Sequence, residues 1–162
     1  MANGLTIDDS ARFLSHATWL ERRLFEAVGE WVRSTPEPAV KLALARQSRH
    51  HGWHAELLEP LRPDTRDHDL EQRAPLDARW RTLVARLLAA STTPQRLEHL
   101  GDVLRQSVKC YEEHIGAMSP VRDWPVRRAL LLVLDDERAA LAEIEGLGAG
   151  RGIVAGSTAA GR

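Results

Sequence analysis

Glu21 and Glu137 each fall inside the apolar stripe of a long amphipathic helix, where the pattern asks for leucine. Between them in the chain runs His50-His51-Gly52-Trp53-His54. A carboxylate taken out of water is costly unless a cation or a hydrogen-bond donor meets it. Histidines on a facing helix could be that partner, or could join the carboxylates in holding a metal ion. His50 and His54 are four residues apart and share one helix face, a spacing that can chelate a metal. Two imidazoles with one or two carboxylates suit Fe(II), Mn(II) or Zn(II). His51 stands where the Glu of a His-Glu-x-x-His motif would be, which sets the zinc proteases aside.

The elements that must position these residues are nearly all helical in pattern. No apolar/polar alternation of strand type occurs, and β-branched residues are sparse. The pattern predicts a first helix from Ile7 or Asp8 to Arg33, with Asp8, Asp9 and Ser10 supplying its cap and first-turn acids. Ser34-Thr35-Pro36 breaks it and starts a second helix that reaches Pro60 or Leu61. A loop over Pro63 to Pro75 leads to a shorter third helix, Leu76 to Ala90. A fourth helix runs from Pro94 to Met118 with Thr93 as its cap, and a last one from Asp123-Trp124-Pro125 to Glu145. Residues 1–146 would make one domain, and 147–162 a flexible Gly/Ala-rich tail. Tight connections at Ser34–Pro36 and Ser119–Asp123 make two antiparallel hairpins, and the long crossover from Pro63 to Thr93 joins them. Two hairpins with one long connection are the ferritin-like arrangement of a four-helix bundle, all-α, with the short helix carried on the crossover.

A helical wheel places the polar residues. Glu21 lies within about 40° of the apolar centre of the first helix, and Glu137 close to that of the last. On the second helix His54 is almost central, Gln47 and His50 flank the centre by roughly 30°, and His51 lies roughly 60–70° round. Ser107 and Tyr111 face inward from the fourth helix, with His114 at the margin. His16 and His99 are expected to face outward, and His68 lies in the loop. Asp135, Asp136 and Glu143 fall to the sides. Counted from the tight turns, Glu21, His50, Ser107 and Glu137 each lie about fourteen to sixteen residues away, which at about 1.5 Å per residue puts them in one layer.

On these residues the chain, over roughly Asp8 to Glu145, resembles the ferritin-like superfamily, including its di-iron carboxylate members. That pattern has a Glu on the first helix, Glu-x-x-His on the second, a Glu on the third bundle helix and Glu-x-x-His on the last. Glu21 matches the first, and Glu137 the Glu of the last motif. His51-Gly52-Trp53-His54 keeps the spacing and the His but has His51 in the Glu place. Ser107 or Tyr111 stands where the third Glu is expected, and Ala140 where the last His is. The resemblance implies oxidation or oxygenation of a small molecule at an altered, His-rich site for iron or another divalent transition metal. Its ligands would come from Glu21, His50, His51, His54, His114 and Glu137, with Tyr111 supplying a proton or hydrogen bond. Iron storage does not fit, since the chain offers too few carboxylates.

Two other readings use the same residues. In one, no metal is involved, and Glu21 and Glu137 act as general acid and base beside His50 or His54 to isomerise, cyclise or hydrolyse a metabolite. In the other, the buried Glu and His pair only with each other and fix helix register. Acidic and basic residues are mixed along 162 residues of net charge −1, without the basic stripe of a nucleic-acid binder. No apolar run approaches the roughly 20 residues of a membrane span. With Cys110 as the only cysteine and no signal-peptide pattern at the start, a cytoplasmic location is expected. Trp19 points away from the apolar centre of its helix, so either the crossover covers it or a second subunit does, which would make a homodimer.

Overall fold

The helices begin at residues suited to satisfying the N–H groups that a first turn leaves free. Thr6 caps α1 (Ile7–Ser34). Its hydroxyl accepts the Asp9 N–H at 3.1 Å, and the Asp9 carboxylate accepts the Thr6 N–H at 3.0 Å. The cap therefore precedes the Asp8–Ser10 stretch expected to supply it. Pro38 opens α2 (Pro38–Leu58), which a 3-10 turn extends over Glu59–Leu61. Asp77 caps α3 (Ala78–Ala89) by accepting the Trp80 N–H. Thr92, rather than Thr93, caps α4 (Thr93–Ala117), with Gln95 returning the hydrogen bond. α5 (Trp124–Ser157) continues past Gly146, where the sequence pattern ends it. The computed structural model describes residues 5–63 and 76–157, with side chains as far as residue 150. Most of the expected loop, His68 included, and residues 158–162 lie outside the described residues.

Contacts between helices fix their directions. Gly29 meets Ser48, Gly52 meets Phe25, and Arg22 pairs with Glu59, so α1 and α2 are antiparallel. Arg105 pairs with Glu145, and Arg138 with Glu112, so α4 and α5 are antiparallel. His54 with Asp136 and Gln47 with Glu143 set α2 against α5 in the same sense. Phe13 with His114 and Trp31 with Arg96 do so for α1 and α4. The four long helices thus enclose one core in the order α1, α2, α5, α4, and α2 and α4 point the same way. The start of α4 is tied to the α1–α2 turn, where Thr93 donates to Glu37 at 2.9 Å and Arg96 donates to Thr35 at 3.1 Å. The connection from α2 to α4 must therefore run the length of the bundle. α3 lies on that path and packs Trp80, Val84 and Leu87 against residues of α1 and α4.

The apolar core is in two parts. One, near the α1–α2 turn, joins Leu24, Val28, Leu44, Leu100, Leu104 and Ile144 with the α3 residues. The other, at the opposite end, joins Phe13, Leu14, Leu58, Ile115, Leu130 and Val133. Polar residues of all four long helices fill the layer between them: Glu21, His51, His54, Ser107 and Glu137 are all buried. The crossover helix also corrects an expectation. His16, expected outward, is 2% exposed, accepts the Leu76 N–H on Nδ1 at 3.3 Å, and lies 4.7 Å ring to ring from Trp80. Trp19 is half-buried and packs against the core cluster to which Trp80, Val84 and Leu87 belong.

Candidate metal centre

α1 and α2 approach closely because Gly29 carries no side chain. A Cβ there would sit 2.9 Å from Ser48 Oγ, which donates to the Phe25 carbonyl. One turn or more further along, this pairing sets Glu21 against His51 and His54. These two histidines are three residues apart and so share one helix face. Each of the four central side chains, Glu21, His51, His54 and Glu137, is at most 1% exposed.

Both imidazoles present Nδ1 to the carboxylates. His51 Nδ1 lies 2.7 Å from Glu21 Oε2 and 3.3 Å from Glu137 Oε1. His54 Nδ1 lies 3.2 Å from the same Glu21 oxygen and 3.6 Å from Glu137 Oε1. The other Glu21 oxygen accepts the Tyr111 hydroxyl at 2.9 Å. His54 Nε2 is 3.1 Å from Asp136 Oδ2. Neither Glu137 oxygen receives a hydrogen bond, and His51 Nε2 has no partner.

Electrostatics make the four groups one unit. Burial alone would raise the Glu21 carboxyl, but His51 and His54 pull it down to about 2. Burial pushes His51 down, and the charges of Glu137 and Glu21 more than reverse this. His54 is likewise penalised by burial, yet the Glu137 carboxylate 3.6 Å away and the hydrogen bond to Glu21 lift it to about 11. Glu137 is raised by burial first and by the Glu21 charge second. Burial and then Glu21 push Tyr111 well above its ordinary 10, so its hydroxyl keeps its proton and donates.

One ligand atom from each of Glu21, His51, His54 and Glu137 falls in a group whose members all lie within 4.8 Å of one another. Metal–nitrogen and metal–oxygen bonds of about 2.0–2.2 Å put the ligands of one tetrahedral ion roughly 3.3–3.6 Å apart, so the widest separations in this group would have to close by about an ångström. The donors also fit. An imidazole that binds through one nitrogen commonly hands its other N–H to a carboxylate, and Asp136 is in place to accept it from His54. The four residues could hold a divalent metal ion.

Some expected ligands are elsewhere. His50 is half-buried, its ring centroid 6.3 Å from that of His54, and it is not in the group. His51, placed off-centre by the wheel, takes the inner position instead, because α2 packs against both α1 and α5 and buries a wider face than one stripe reveals. His114 lies flat on Phe13, centroids 3.7 Å apart, and is not in the group either. Asp136, which sequence reasoning set aside, is the outer partner of His54. The only sign of it was its position next to Glu137. Gln47 donates to Glu143 at 3.4 Å. No family model matches the chain, and no curated protein or solved structure matches it significantly.

Proposed function

We propose that Glu21, His51, His54 and Glu137 form a mononuclear site for a divalent transition metal in the middle of a ferritin-like bundle, and that with a redox-active metal held there the protein would oxidise or oxygenate a small molecule with O2 as the oxidant. One observation carries the reading: two Nδ1 atoms and two carboxylates converge from three helices, with the outer faces of His54 and Glu21 already held by Asp136 and Tyr111. The order α1, α2, α5, α4 with parallel α2 and α4 supports the ferritin-like part. Two nitrogens and two oxygens suit Fe(II), Mn(II) or Zn(II), and of these iron or manganese would supply electron transfer. Tyr111, protonated at any physiological pH, fixes one Glu21 oxygen so that the other faces the imidazoles. Asp136 selects the His54 tautomer whose Nδ1 lone pair points inward. Such a closed site favours a reactant of a few atoms.

The test is metal analysis of protein purified without added metal and again after Fe(II), Mn(II) or Zn(II) is supplied. One equivalent bound, and lost in His51→Ala and His54→Ala, is the expected result. No stoichiometric binding of any of the three would end this reading. A second reading, a paired network that fixes helix register, draws on the fact that Glu21 already accepts from His51, His54 and Tyr111. In that case Glu137→Leu would leave the bundle as stable or more so, with no metal affinity to lose.

A further inference from the structure

A cavity of about 10 Å3 lies between α1, α3 and α4, beside Tyr111. Ala17, Leu20 and Trp80 give it apolar walls, and His16, Ser107 and Tyr111 are its polar members. The space matches one water molecule. Two of its polar members are unsatisfied. His16 Nδ1 accepts the Leu76 N–H, and burial holds this histidine down to about 4, so the neutral ring carries its proton on Nε2. That buried Nε2–H meets no acceptor. The Ser107 hydroxyl is also buried and without a partner. Two orphaned polar groups in one small cavity are costly. Tyr111 spends its proton on Glu21 and keeps a lone pair to accept another.

We propose that this cavity is a binding site for one water-sized, hydrogen-bonding molecule, held by His16 and Ser107 behind Tyr111. The molecule accepts from His16 Nε2–H and donates to Ser107 Oγ or to the Tyr111 oxygen, which matches the two hydrogens and two lone pairs of water. An apolar diatomic gas would fill the space and leave both orphans unpaired. Trp80 lines the site from α3. The site also deepens, and in that respect rests on, the metal reading. It places a water-sized reactant one side chain away from Glu21.

Occupancy is tested on chelator-treated full-length protein, so that failure to bind metal leaves the result untouched. A crystal structure that shows other buried waters should show an ordered molecule within hydrogen-bond reach of His16 Nε2 and Ser107 Oγ. Ser107→Ala should lower Tm by a few degrees, since it removes a partner of that molecule. In a dry cavity the same change deletes an unpaired hydroxyl and leaves Tm unchanged or raises it. An empty cavity, xenon occupying it under pressure with no water displaced, or an unchanged or raised Tm in Ser107→Ala overturns the proposal.

Discussion

Asp136→Ala separates a metal-tuning role from a structural one. In the metal-free protein Asp136 faces His54 Nε2 at 3.1 Å, with its side chain 38% exposed. Solvent reaches the Asp136 side of this half-buried pair and screens it, so its share should stay near that of an exposed ion pair, about 0–1 kcal/mol. For a domain of this size each kcal/mol moves Tm by about 2–4 °C, so the variant should melt no more than about 4 °C lower in chelator. With metal bound the demand differs. Nδ1 must give its lone pair to the ion, the ring proton must sit on Nε2, and Asp136 is the group that accepts it. Losing such an outer partner typically weakens metal binding 10–100-fold, or about 1.4–2.7 kcal/mol. Competition against a chelator of known affinity measures the metal Kd, and thermal melts in excess chelator give the metal-free stability. An unchanged Kd would refute the tuning argument. So would an affinity loss fully matched by lost metal-free stability.

Three further outcomes are expected. His51→Ala or His54→Ala should abolish stoichiometric metal binding in metal analysis, whereas His50→Ala and His114→Ala should leave Kd within a few-fold, since neither residue belongs to the group. In chelator, Tm should peak on the acid side of neutrality. The share of Glu21, depressed to about 2, is complete above its ordinary 4.5 and is lost as pH falls towards 2. The share of His54, lifted to about 11, is complete below its ordinary 6.5 and is lost as pH rises towards 11, with His51 and the raised Glu137 acting in the same sense. A flat Tm from pH 3 to 10 would contradict this. Gly29→Ala should destabilise in denaturant titration, because about 1–3 kcal/mol of overpacking against Ser48 outweighs a helix gain of roughly 0.5–1 kcal/mol. Gly52→Ala meets only the edge of the half-exposed Phe25 ring and should be close to neutral.

The helix count, the two tight turns and the depth of Glu21 and Glu137 were legible in the sequence, because a charged residue in an apolar stripe announces itself. The assignment within His50–His54 was not. A wheel centred on α2's apolar residues assumes one buried stripe, but α2 is covered on two sides, and His51 and His54 divide the inward face between them. His16 was misplaced for a related reason: its cover comes from α3, a neighbour that the periodicity of α1 does not encode. Asp136 faces partly to solvent and resembles any helix-surface acid until His54 is seen opposite it.

The composition of the layer also constrains how many ions it can hold. With both imidazoles protonated and both carboxylates ionised, the metal-free cluster sums to zero, and passing a proton from a histidine to Glu137 leaves that sum unchanged. With one divalent ion, neutral imidazoles and the same two carboxylates, it is again zero. A buried layer that is neutral in both states avoids the penalty of an uncompensated charge between two hydrocarbon clusters. The di-iron pattern has four carboxylates and two imidazoles, which neutralise two divalent ions. On the ferritin-like reading proposed above, Ser107 or Tyr111 stands where that pattern has a Glu, Ala140 where it has a His, and His51 where it has another Glu. Two negative charges are gone, and with them the neutralisation of a second ion. The carboxylate count therefore argues for one equivalent of metal, and a measured stoichiometry of two would mean that charge balance does not govern this site.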